Sequence, residues 1–162
     1  MANQCYNEVY FTGEQNRVKQ ANRFLSGHQL DEYDGTAIKG TDGYFQDLYF
    51  CNGKFHFGTR WVPDFTTLIA VADLFKVGFI VEYSDPAMSL YGRGMYKDGT
   101  FVDVRLDIDD YKKIGYNQKE GTYQYQDRTY RDLEKPALAV LKDKVSQHPA
   151  CKVRRLKIKR GQ

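Results

Sequence analysis

The chain has 162 residues, of which 41% are hydrophobic and 28% charged, a globular profile and not that of a wholly disordered or fibrous chain. A chain of this length buries about two-thirds of its unfolded surface, so it needs no disulfide or metal staple to fold. The net charge of +3 is too small to argue for nucleic acid from bulk electrostatics.

Residues 5–12 read as the first strand, with Val9 and Phe11 alternating against Glu8 and Tyr10. Thr12-Gly13-Glu14-Gln15 has the spacing of a capping box, with Thr12 as N-cap. It predicts a helix to about Ser26, with Val18, Ala21 and Leu25 on one stripe and Gly27 at the C′ position, where a positive φ is needed. Residues 28–43 are polar and hold Gly35, Gly40 and Gly43, which reads as an irregular loop or a short, poorly packed helix.

Residues 44–51 and 54–61 flank Asn52-Gly53, the pair that a type I′ hairpin turn asks for at both of its positive-φ positions. The alternation of the second strand assigns Phe55, Phe57, Thr59 and Trp61 to one face and Lys54, His56, Gly58 and Arg60 to the other. Pro63 disfavours helix at its predecessor, and Asp64 can cap a helix over 65–76 carrying Leu68, Val71, Ala72 and Phe75. A meander follows. Phe79, Val81 and Tyr83 alternate, Ser84-Asp85-Pro86 turns, and 90–97 is joined to 101–108 through Asp98-Gly99. In that last strand Val102, Val104, Leu106 and Ile108 are predicted inward, with Asp103, Arg105 and Asp107 outward.

Residues 111–128, rich in Tyr, Gln and Lys, read as a loop or a weak edge hairpin. A third helix ends near Gln147, with Leu133, Ala137, Val140, Leu141 and Val145 on one side. Either it begins near Glu134 with Pro136 in its first turn or it kinks there. Val153, Leu156 and Ile158 suggest a final short strand inside a basic tail. The whole order predicts an α+β fold, a ferredoxin-like βαββαβ core with extra antiparallel strands and a C-terminal helix. It is expected as a single domain over 1–162, with an extension from about 110.

Several short motifs resemble one family. Residues 1–7 with the following strand and Thr12-Gly13, then Phe57-Gly58-Thr59-Arg60-Trp61-Val62-Pro63, are similar to elements of the YubB-type ferredoxin-like proteins. So are the run 78–83 with Asp85, Tyr91-Gly92-Arg93-Gly94 and Asp98-Gly99. Gln4 stands where that family has an aromatic residue, and Phe57 where it has a Trp. The resemblance implies the ferredoxin-like fold and a habitat on plasmids, phages and conjugative elements. It carries no catalytic residues.

The residues themselves show no catalytic constellation. Cys5, Cys51 and Cys151 are an odd, widely spaced set, not a disulfide framework. Cys51 and His56 straddle the hairpin turn, but two ligands do not make a zinc site. No nucleophile elbow or phosphate-binding glycine loop is present. Asp103 and Asp107 are expected on a wet strand face, balanced by Arg105. No cofactor, no metal and no enzyme activity are expected. No apolar run reaches the roughly 20 residues of a membrane span, and no basic segment with an apolar run opens the chain, so a cytoplasmic setting is expected.

What is left is binding. The sheet face away from the helices is expected to carry Tyr6, Tyr10, Tyr49, Lys54, His56 and Arg60, joined by Arg154, Arg155, Lys157 and Lys159 of the tail. The expected function is a non-catalytic accessory protein of a mobile element that binds another protein and modulates or inhibits a host system. The alternative is single-stranded nucleic acid, stacked on the open face and held by the tail. Self-association through an edge strand near 116–130 is a further expectation.

Overall fold

The computed structural model describes residues 3–29 and 35–151. Its first element, β1 (Gln4–Thr12), buries Cys5, Asn7, Val9 and Phe11 on one side, as the period of two requires. α1 (Gln15–Ser26) buries Ala21 and Leu25. Then come β2 (Thr36–Ala37), β3 (Tyr44–Cys51), β4 (Lys54–Arg60), α2 (Phe65–Phe75), β5 (Gly78–Asp85), β6 (Leu90–Lys97) and β7 (Thr100–Arg105). They form one sheet in the order β2-β3-β4-β1-β5-β6-β7. β1 is antiparallel to both its neighbours, with Val9 opposite Phe55 on one side and Val81 on the other. The path β1-α1-β3-β4-α2-β5, with strand order β3-β4-β1-β5, is the ferredoxin-like core.

The chain divides into two compact units, Met1–Ser89 with Arg93–Asp103, and Leu90–Gly92 with Val104–Gln162. In the first, the core joins Val9, Phe11, Leu25, Phe45, Phe55, Phe57, Leu68, Val71, Phe79 and Val81. Phe45 stacks on Phe57 with ring centroids 3.9 Å apart. Both two-residue hairpin turns have the expected left-handed backbone, Asn52 and Gly53 at φ 50° and 78°, Asp98 and Gly99 at 50° and 76°. Asp64 caps α2 as expected, accepting from the Thr67 amide at 3.0 Å and the Thr67 hydroxyl at 2.6 Å. Asp64→Ala is expected to cost about 1 kcal/mol. Urea titration would show it as a lower midpoint with an unchanged slope; no shift in midpoint would refute the cap's role.

Several local expectations are corrected. The capping box at Thr12 does not form. Thr12 is still in β1, opposite Gly78, and Glu14 is the N-cap without a side-chain cap bond. Gly27 ends α1 at φ −68°, so the helix closes without a left-handed residue. Part of the 28–43 loop is a strand, because β2 pairs Thr36 with Phe45 and Ala37 with Tyr44. Trp61 is not in the core: β4 ends at Arg60, and Trp61 is 51% exposed. β7 stops at Arg105, so Leu106 is buried outside the strand and Ile108 is 77% exposed. In β7 Val104 is buried as expected, and Phe101, of the opposite parity, also packs inward, against Phe65 and Phe79. Asp103 accepts from the Tyr83 hydroxyl at 2.8 Å.

The second unit holds α3 (Ile108–Tyr111), β8 (Gly115–Asn117), β9 (Thr122–Tyr125), β10 (Arg128–Tyr130) and α4 (Glu134–Gln147). The weak edge hairpin is a separate three-stranded sheet, ordered β10-β9-β8. Pro136 lies in the first turn of α4, where its missing N–H costs nothing. α4 buries Ala137, Val140, Leu141 and Val145, and its Asp143 accepts from the Tyr125 hydroxyl of β9 at 2.8 Å. Asp107 and Asp110 cap α3 reciprocally and both pair with Lys144 of α4. No helix among the described residues is long and apolar enough to cross a membrane.

Candidate binding face

Register decides which side chains share the sheet face away from α1 and α2. With Cys5, Asn7, Val9 and Phe11 turned to the core, Tyr6, Glu8 and Tyr10 turn the other way. Their antiparallel partners on β4 are Gly58 for Tyr6 and His56 for Glu8, while Arg60 lies opposite Gln4. On β5, Glu82 lies opposite Glu8. Tyr49 of β3 reaches this face through a bulge. The register shifts between Gln46 and Tyr49, and Asp47 sits at φ 49°. Phe45 and Leu48 can therefore both be buried, while Tyr49, opposite His56, is 52% exposed.

The face is a row of rings threaded by charges. Tyr49 and His56 stack with centroids 4.8 Å apart and planes 11° from parallel. His56 Nδ1 lies 3.7 Å from the Glu8 carboxylate, which also ion-pairs with Lys54. The hydrogen bond to Glu8 holds the Lys54 ammonium above the ordinary lysine range, so it stays charged. Lys54 Nζ also stands 6.0 Å from the Tyr10 ring centroid, within cation–π reach. Further along, Arg93 pairs with Glu82 at 3.7 Å. A notch of about 420 Å³ beside the Asn52-Gly53 turn is lined by Tyr10, Asn22, Lys54, Glu82 and Arg93. Both of its cations are already matched by a glutamate.

The structure thus brings Tyr6, Tyr10, Tyr49, Lys54, His56 and Arg60 onto one face, Tyr49 by way of the bulge and the others at the positions alternation assigns. Arg154, Arg155, Lys157 and Lys159, and the suggested strand through Val153, Leu156 and Ile158, lie outside the described residues. Glu8, Glu82 and Arg93 were missed as members of the face. Glu8 was legible, since it sits between Tyr6 and Tyr10 at a spacing of two. Glu82 and Arg93 needed the strand order. Reactive groups are scarce here. Cys5 is fully buried, and burial pushes its thiol up to about 11, which leaves it a protonated, inert side chain. Among the described residues no three His, Cys, Asp or Glu side chains gather into a metal-holding group.

Residues 41–126, a little over half of the chain, match the model of a family described as a ferredoxin-like domain in Api92-like protein. No curated protein and no solved structure matches. The matched segment contains Tyr49, Lys54, His56 and Arg60 but not β1, which supplies Tyr6 and Tyr10 to the same face.

Proposed function

From the premise that the chain belongs to the family of ferredoxin-like domains in Api92-like proteins, we propose that its open sheet face binds another protein and that the protein works by that contact, not by catalysis. The observation that carries this reading is the exposure of Tyr6 (58%) and Tyr49 (52%) on either side of a centre whose charges are internally matched. Tyrosine rings give large contact area at low entropic cost, and interface cores are rich in them and poor in unpaired charge. Nucleic acid would use the same rings, but phosphates need unpaired cations. Lys54 is held by Glu8 and Arg93 by Glu82, so among the described residues of the face Arg60 is the cation without an acidic partner.

The likeness to YubB-type proteins supplies the setting of the proposal: a cytoplasmic accessory of a phage, plasmid or conjugative element that modulates or inhibits a host system. The test uses the whole chain as bait in host extract, with captured proteins identified and then purified for direct titration. Tyr49→Ala combined with Tyr6→Ala is expected to weaken the purified partner at least tenfold, as loss of central aromatic anchors does. Unchanged affinity would refute the face as the binding surface. So would steeply salt-dependent binding to short single-stranded DNA or RNA in place of any protein partner.

A further inference from the structure

At one end of the first unit's sheet, β4 runs out into a backbone outlier that stands out among the described residues. Trp61 has φ 68°, in the left-handed region. Glycine, asparagine and aspartate enter that region at low cost, whereas a bulky side chain there is strained. Two backbone bonds hold it: the Trp61 amide donates to the Asn3 carbonyl at 3.1 Å, and the Val62 amide to the Arg60 carbonyl at 2.8 Å. A third contact, from the Thr59 hydroxyl to the Val62 carbonyl at 2.8 Å, fixes the exit of the chain. The strain brings no core packing in return, since Trp61 is 51% exposed and Val62 58%.

The same end of the sheet gathers more exposed apolar surface. Tyr6 is opposite Gly58 and Ser84, near the start of β1, and Met88 follows the end of β5; both are 58% exposed. Gly58 leaves room for the Gln4 side chain, which lies where a Cβ would be. Arg60, opposite Gln4, has no ion-pair partner among the described residues. Trp, Tyr and Arg are the three residue types most enriched among residues that dominate binding energy. Residues held in sparsely populated backbone conformations persist only where the surrounding structure over-determines them, and they cluster at functional sites.

Resting on the reading that this face binds protein, we infer that Trp61, with Val62, Tyr6 and Arg60, is the anchor of the contact. Its occupant is an apolar peptide segment flanked by a carboxylate, because the patch offers apolar surface beside one unmatched guanidinium. The segment's apolar side chain packs on Trp61 and Val62, and its Asp or Glu pairs with Arg60, which can grip a carboxylate with two parallel N–H bonds.

The test pans a phage-displayed random dodecapeptide library against three full-length baits: wild type, Trp61→Gly, and Tyr49→Ala with His56→Ala. Wild type is expected to enrich an apolar-plus-acidic consensus, and a synthetic consensus peptide is expected to bind Trp61→Gly at least tenfold more weakly. Arg60→Glu is expected to lose the acidic preference. Trp61→Gly is also expected to keep or raise the melting temperature, since glycine relieves the backbone strain. Failure to enrich any consensus, a consensus without acid, or unchanged binding by Trp61→Gly would overturn the anchor. So would a fall of several degrees in the Trp61→Gly melting temperature, which would mark Trp61 as a packing residue. Loss in the Tyr49/His56 variant with retention by Trp61→Gly would keep the face reading and refute the anchor. The reverse pattern would keep the anchor and refute the central face.

Discussion

A fragment limited to residues 41–126 will not fold on its own, although that is the segment the family model spans. The reason is the place of β1. It is the middle strand of the core, bonded along Gln4–Val9 to β4 and along Tyr6–Thr12 to β5. Without it, β4 and β5 stand two strand spacings apart, about 9.5 Å, with nothing between them. Every ladder amide they gave to β1 loses its partner, and each orphan group that stays out of water costs about 1–3 kcal/mol. Val9 and Phe11 also leave the core, taking the edge-on partner of the fully buried Phe55 ring with them. Losing the burial of two such side chains removes several kcal/mol at about 2–3 kcal/mol each. Against a typical total stability of about 5–15 kcal/mol, that leaves nothing. The fragment is expected to show no sigmoidal thermal transition by circular dichroism, whereas the whole chain does. A cooperative melt of the fragment close to that of the whole chain would overturn this account of β1.

The second large effect is expected at Asp110. Its side chain is 4% exposed and receives Lys113 at 2.7 Å, Lys144 across from α4, and the Asp107 amide at 3.0 Å. Lys144 is itself held by Asp107 at 2.8 Å and by the Arg105 carbonyl at 2.9 Å. Burial alone would raise the Asp110 carboxyl, but the hydrogen bonds from Lys113, Lys144 and Asp107 outweigh it and hold the group far below the usual carboxylate range. Asp110 is the one buried member of the cluster, and Lys144 keeps Asp107 when it is removed, so Asp110→Ala is expected to destabilise the second unit by roughly 1.5–3 kcal/mol, the loss of charge-assisted hydrogen bonds. Lys144→Met, which keeps the apolar stem, is expected to cost less than Lys144→Ala. Because the folded-state pKa is depressed, the stabilisation is fully present above the unfolded value near 4 and is lost as pH falls below it. The protection factors of the α4 amides, taken against intrinsic exchange rates at each pH, should fall as pH is lowered from about 5 toward the depressed folded value in wild type, and the Asp110→Asn variant should lose that dependence. Equal pH profiles for the two proteins would show that the cluster does not hold α4.

Much of the fold was legible because the deciding physics is local. Asn52-Gly53 and Asp98-Gly99 sit where two consecutive residues need positive φ, and few other dipeptides adopt that conformation cheaply. Asp64 stands where three residues later an amide needs an acceptor. The period of two in β1 sorted Val9 and Phe11 from Tyr6 and Tyr10 without reference to any other strand. Those signals were enough to give the ferredoxin-like core and the face that carries Tyr6, Tyr10, Lys54 and His56.

What the sequence alone did not decide depends on partners distant along the chain. Strict alternation from Phe45 would place Tyr49 on the core side; the bulge at Asp47 reverses it, and nothing in the residues 45–49 announces the bulge. Trp61 reads as core by alternation, but β4 ends one residue earlier, because the Trp61 backbone turns left-handed at φ 68° although its amide still bonds to Asn3. Thr12 looks like a cap until its pairing with Gly78 keeps it in the strand. Lys144 finds Asp107 and Asp110 only when α4 packs back toward α3. Local propensity and periodicity therefore determined which elements form. Register, strand ends and charge pairing were decided by tertiary structure, because each is a competition between contacts that are not neighbours in sequence.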